Sequence, residues 1–222
     1  MTHKKSPSGP QPRLLAAGKT LFAQLGYEQT STSAIARQAG TSESQLVRYF
    51  DGKRGLLAAI LDEGWAPLTY QIENAVTQMN DPVEALKAIL ASIIAAFQRD
   101  PELAYLFLFE GRRIRAAGRE PKMSRGYISL VQLLQQLIRR AQKVRAIAAD
   151  IDAAALCSAL VGAAEAMIRD RLIATHSGGR RAFSQQQIHR VFAALLEGIR
   201  QRRRPSTVLR NRTHRKHSAH RD

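Results

Sequence analysis

The chain has little of what most catalytic or secreted proteins depend on. Of its 222 residues, one is cysteine, Cys157, so no disulfide can form within it and no Cys-x-x-Cys metal or redox site exists. Cys157 lies in an alanine-rich apolar stretch and reads as a small buried hydrophobe. There is no Gly-rich phosphate loop, no dinucleotide-binding glycine pattern and no HExxH, so no motif points to an enzyme, and no cofactor or metal is expected. His214, His217 and His220 recur near the C-terminus, but among arginines they form a poor cation site. No uncharged apolar run reaches the ~18 residues needed to cross a bilayer, and Lys19 interrupts the first apolar stretch where a signal peptide would need continuity. A cytoplasmic, nucleoid-associated protein without a membrane partner is expected.

Acidic residues are also scarce. Asp and Glu total 18 against 34 Lys and Arg, a net charge of +16 that favours polyanionic partners. The excess is uneven. Residues 201–222 carry +7 and residues 1–13 carry +3. Both ends are polar and cannot build a core, so they are expected to be a disordered basic arm and a disordered basic tail.

Period-two alternation is absent over any useful length, whereas helical stripes recur, and the fold class expected is all-α. Pro82 and Pro101 are placed to open helices. Another helix carries Ile128, Val131, Leu134, Leu137 and Ile138, preceded by a breaker cluster at 117–121. A further one, capped by Asp150 or Asp152, runs through Leu156, Leu160, Ala163 and Met167. The last opens at Ser184, with Gln187 able to complete a capping box, and presents Val191, Phe192, Leu195 and Ile199.

The segment Ser31–Phe50 holds the most specific pattern. A Ser/Thr run precedes Ile35, Ala36 and Ala39, Gly40 can stop that helix in a left-handed conformation, and Ser42 can cap the next, with Gln45 at the capping-box position. At ~100° per residue, Leu46 and Phe50 fall on one face of the second helix, while Ser44, Gln45, Arg48 and Tyr49 fall on the other. Such a helix is too short to stand alone. Docked through Leu46 and Phe50, it would present groove-reading chemistry, Arg to guanine, Gln to adenine, Ser and Tyr to bases or phosphates. The spacing alone is equally compatible with a small helical hairpin whose polar face is simply solvated.

The flanks give the pair its context. Leu14, Leu15, Ala17, Leu21 and Phe22 form a stripe closing at Gly26-Tyr27, and Lys53, Leu56, Leu57 and Ile60 open a further helix. With Thr30–Thr32, Ile35-Ala36, Ala39-Gly40, Ser42, Leu46 and Tyr49-Phe50 at their spacings, residues 14–62 resemble the N-terminal DNA-binding domain of the TetR family of bacterial transcriptional regulators. The resemblance implies phosphate contacts from Thr32, Ser33 and Lys53, and groove contacts from Ser42, Ser44, Gln45, Arg48 and Tyr49. Arg48 is the leading candidate for base reading, and Gln45 is claimed either by the capping box or by DNA. Val47 stands where the family usually has tyrosine, so a hydroxyl contact to phosphate is replaced by an apolar surface able to touch a thymine methyl.

Four segments are expected: the arm 1–13 and the tail 201–222 from composition, and, as the resemblance implies, the DNA-binding domain 14–62 and a helical ligand-binding and dimerisation domain 63–200. The resemblance further implies a homodimer formed through about 151–174 and 184–200, with Leu156, Leu160, Ala163, Met167, Val191, Phe192, Leu195 and Ile199 as interface candidates. Lastly it implies a small-molecule effector bound among the body helices, for which Trp65, Tyr70, Phe97, Tyr105, Phe107, Phe109, Glu110 and Glu165 are candidates. Aromatics at helical spacing equally suit a plain core. Glu165 either orients a ligand or pairs with Arg169 one turn on, and Glu110 with Arg112 and Arg113 either binds an anion or is a solvated helix end. The expected function is a repressor acting on a pseudo-palindromic operator; a non-specific basic nucleoid protein and a helical small-molecule binding protein are the alternatives.

Overall fold

The computed structural model describes residues 9–111, 124–176 and 183–200. Most of the basic arm, Arg112 and Arg113, the breaker cluster at 117–121, Gly178-Gly179 and the tail with its three histidines lie outside the described residues. Every regular element among the described residues is helical, apart from an isolated bridge between Ile147 and Arg200.

Four helices form the head: α1 (Pro10–Leu25), α2 (Thr32–Gln38), α3 (Glu43–Phe50) and the first half of α4 (Lys53–Thr77). The first begins at Pro10, not at the Leu14 boundary expected, because a proline in the first turn loses no hydrogen bond and its fixed φ suits a helix. Ser31 and Ser42 cap α2 and α3 by accepting the amides of Ala34 and Gln45 at 3.1 and 3.3 Å. Gly40 supplies the left-handed residue between them, at φ 59°. Gly55 permits the tightest approach in the head. A Cβ there would lie 1.6 Å from the Phe50 carbonyl oxygen, so no larger residue fits where α4 leaves the end of α3.

The body comprises the rest of α4, α5 (Pro82–Arg99), α6 (Pro101–Tyr105), a π-helical turn Leu106–Glu110, α7 (Arg125–Lys143), α8 (Ala153–His176) and α9 (Gln185–Gly198). Asp81 caps α5 through the amides of Val83 and Glu84, Asp152 accepts the Ala155 amide in α8, and Ser184 with Gln187 closes the expected capping box on α9. The boundary expected at residue 62 falls inside a helix. α4 continues unbroken from head to body with Pro67 in its interior, because its apolar stripe runs from Leu56 through Ile60, Trp65 and Leu68 to Val76 and serves both cores in turn.

Two apolar clusters result. The head core gathers Leu14, Phe22, Ile35, Leu46, Phe50, Leu56 and Ile60, and the body core centres on Trp65, Ile72, Leu86, Ile89, Leu130, Leu137, Ile188 and Phe192. Leu106, from the π-helical turn, is fully buried in the head core. Polar links reinforce this seam: Lys19 pairs with Asp100, the Thr20 hydroxyl donates to Glu102 at 3.4 Å, and the Tyr27 amide donates to Glu110 at 3.4 Å.

Candidate nucleic-acid interface and effector cavity

α3 has the two-sided construction its sequence implies. Leu46 is 0% and Phe50 8% exposed, while Ser44, Val47, Arg48 and Tyr49 face solvent. The Arg48 guanidinium is steered by its neighbour, donating to the Tyr49 hydroxyl at 2.9 Å and lying 4.9 Å from the centre of the Tyr49 ring. Val47, 54% exposed, has no core to serve.

Other candidate residues have local partners. Gln45 is not spent on a capping box: its side-chain oxygen accepts the Thr41 hydroxyl at 2.5 Å, because that donor lies one turn away, and its amide nitrogen is left for another acceptor. The Ser42 and Ser44 hydroxyls share a hydrogen bond at 2.8 Å, and Ser33 shares one with Ser31 at 3.0 Å. The Thr32 hydroxyl donates to the Glu43 carboxylate at 2.6 Å, tying the first turn of α2 to that of α3. Glu43, absent from the sequence-based candidates, therefore belongs to the same surface.

Lys53 opens α4 beside this surface. Its ammonium donates to the Tyr27 carbonyl at 2.8 Å and lies 4.3 Å from the Tyr27 ring centre, so it pins the loop after α1 while two of its three protons stay available. Burial, and secondarily the Glu28 carboxylate, push the Tyr27 phenol above its ordinary pKa and keep that ring neutral under the cation.

The body holds an apolar cavity of about 110 Å³ walled by α4, α5, the π-helical turn, α7, α8 and α9. Of the candidates, Trp65, Phe97, Phe107 and Glu165 line it, and Tyr127 and Phe192 add two further rings; Trp65 packs 4.4 Å from Phe107, 5.9 Å from Tyr127 and 6.2 Å from Phe97, centre to centre. Glu165 is the one acidic side chain among the described lining residues, and it accepts from the Tyr127 hydroxyl at 3.5 Å. Tyr127 was missed by sequence reasoning, although it stands one turn before the α7 stripe of Leu130, Val131 and Leu134 that lines the same wall.

Four candidate lining residues lie elsewhere. Tyr70 is 67% exposed, since five helical steps from Trp65 place it well round α4. Tyr105 and Phe109 stack on one another at 4.8 Å between ring centres and do not line the cavity. Glu110 is buried, but its carboxylate reaches the Tyr27 amide of the head.

The residues proposed for dimer contact divide as well. Leu156 and Phe192 are buried in the subunit's own core, and Leu160, Ala163, Met167 and Ile199 pack partly against it. Val191 and Leu195, one turn apart on α9, are 43% and 46% exposed, and Ile173 on α8 is 38% exposed.

Residues 14–60 match the family model described as bacterial regulatory proteins, tetR family. The head therefore carries a TetR-type DNA-binding domain. Among the described residues this helix-turn-helix head sits on an all-helical body. The chain is similar to the fatty acid metabolism regulator protein of Bacillus subtilis, 22% identical over 121 residues that span 54% of the chain and 62% of that relative. It is also similar to the nucleoid occlusion factor SlmA of Glaesserella parasuis, 29% identical over 173 residues covering 75% of the chain and 80% of the relative. In fold it resembles the transcriptional regulator FadR from Bacillus subtilis, solved in complex with stearoyl-CoA, with a TM-score of 0.69, 17% identity, and coverage of 83% of this chain and 95% of that one. Among the described residues, no helix is long and apolar enough to cross a membrane and no cluster of His, Cys, Asp or Glu could hold a metal ion.

Proposed function

We propose that this chain is a regulator of the TetR type that binds a pseudo-palindromic operator as a homodimer, represses transcription there, and responds to a predominantly apolar small molecule held in the body cavity. The observation that carries the DNA reading is the construction of α3. An eight-residue helix is anchored by two buried side chains, Leu46 and Phe50, and offers Ser44, Val47, Arg48 and Tyr49 to solvent together. One such helix makes few base contacts, whereas two related by a two-fold axis read both half-sites of a palindrome. Supporting the dimer, Val191, Leu195 and Ile173 leave apolar surface exposed on the last two helices, as an interface between copies requires.

The effector reading rests on a cavity of five rings and aliphatic side chains, with the Trp65 indole, Ser124, the Tyr127 hydroxyl and Glu165 as the polar side-chain groups among its described lining. The structural neighbour FadR, in complex with stearoyl-CoA, makes a long-chain acyl compound a fitting first ligand to try. Selecting bound duplexes from a random pool tests the central claim. A two-fold-symmetric motif is expected, and retention of all sequences alike at moderate salt would replace this reading with non-specific basic binding. Adding acyl compounds to the operator complex tests the effector, and release from DNA is the expected result.

A further inference from the structure

We infer that Glu43 and Val47 form a pyrimidine-reading edge on α3, with Glu43 accepting a hydrogen bond from the amino group of a cytosine and Val47 packing against the methyl of a thymine. The inference rests on the operator-binding reading above and adds base identities to it. Two independent observations carry it. Val47 is 54% exposed on a helix whose other solvent-facing side chains are polar, and Glu43 places an exposed carboxylate one turn before it on the same helix.

Residues four apart on a helix lie about 40° apart in azimuth and about 6 Å apart along the axis. Glu43 and Val47 therefore flank one edge of α3, beside the strip formed by Ser44 and Arg48. A 6 Å separation corresponds to one or two base steps of about 3.4 Å each. Glu43 is also held in place: the Thr32 hydroxyl donates to its Oε2 at 2.6 Å, while Oε1 accepts no hydrogen bond among the described residues.

A carboxylate cannot approach phosphates without repulsion, so on a DNA-facing edge it needs a donor. The major groove offers two, the amino groups of cytosine and adenine. Beside the adenine amino group stands N7, an acceptor that repels a carboxylate. Beside the cytosine amino group stands only a carbon-bound hydrogen. The acid thus selects cytosine, and the apolar neighbour selects thymine, the only base with a methyl in that groove. Arg48, 100° further round, is left to guanine.

The test uses the full chain and selection from a random duplex pool by the wild type, Glu43→Gln and Val47→Ala. The wild type should select cytosine at one position in each half-site and thymine one or two steps away. Glu43→Gln keeps an acceptor for Thr32, so the local fold is retained. It should lose the cytosine preference by about tenfold and turn towards adenine, which an amide can pair bidentately. Val47→Ala should keep cytosine and lose thymine; replacing that thymine by uracil should weaken the wild type and leave Val47→Ala unaffected. The inference is overturned if Glu43→Gln keeps the cytosine preference and tightens binding to every duplex equally, because Glu43 then faces phosphates, or if uracil substitution has no effect on the wild type. A wild-type pool without any motif would instead overturn the operator reading itself, and this edge with it.

Discussion

Truncating Leu46 to alanine should undock the recognition helix while leaving its exposed face chemically intact. Leu46 is 0% exposed and, with Phe50, provides the buried anchorage of α3. The substitution deletes three carbons; at ~0.8 kcal/mol each, their transfer contributes about 2.4 kcal/mol. The cavity left behind adds to this, bringing the expected loss to about 3–4 kcal/mol. At about 1.4 kcal/mol per tenfold, that raises the undocked fraction by roughly 140- to 700-fold. Since eight residues cannot sustain a helix in water, α3 should melt locally rather than swing out intact. Hydrogen exchange resolved to α3 amides reads the opening directly, urea unfolding followed by circular dichroism gives the global cost, and fluorescence anisotropy on the selected duplex gives the binding loss. Val47→Ala is the matched control, one residue away and 54% exposed, and should cost no more than about 0.5 kcal/mol of stability. If Leu46→Ala costs less than 1 kcal/mol, or if the two variants destabilise equally, the docking assigned to α3 is wrong.

Lys53→Met should weaken binding to all duplexes alike and shallow the salt dependence by about one charge, read from log Kd against log salt; a change in base preference would contradict a phosphate role. Gly126→Ala would place a Cβ 2.3 Å from the Trp65 Cβ and should destabilise the body by about 1–3 kcal/mol, with a shift in the emission of Trp65, the only tryptophan. Asp81→Ala removes two hydrogen bonds from the start of α5 and should cost about 0.5–2 kcal/mol in denaturant unfolding. Burial pushes the Cys157 thiol above its ordinary value of 9.0, so the folded chain holds this proton more tightly than the unfolded one. The stability this confers is complete below that value and declines as pH rises past it. Iodoacetamide at pH 8 should label Cys157 only after unfolding, and rapid labelling of the native chain would show that the residue is accessible.

Legibility in the sequence follows the range of the forces involved. The caps at Ser42 and Ser184 and the turn at Gly40 are local, set by residues within one turn, and could be read directly, whereas the Ser/Thr run and the pair Asp150 and Asp152 each offered more than one cap, of which Ser31 and Asp152 are used. The two faces of α3 followed from periodicity alone. The cavity depended on which helices meet, and single-helix patterns could not decide it. Trp65, Phe97 and Phe107 line it whereas Tyr70, Tyr105 and Phe109 do not, although all six are aromatics on helices. Gln45 illustrates the same limit on a smaller scale. Its spacing from Ser42 suited a capping box, but the Thr41 hydroxyl competed for its oxygen at 2.5 Å.

The passage of α4 through both cores fixes how such a protein can be cut and recombined. A head joined to a foreign body at residue 62 inherits no flexible seam, only a position on a rotating screw. Each residue added there turns the head by about 100° and advances it about 1.5 Å, so one extra residue re-aims α3 relative to the body. Seven residues, nearly two whole turns, bring it back to within about 20° of its original bearing but about 10 Å farther out. Joints for hybrid proteins are therefore confined to points that preserve helical phase.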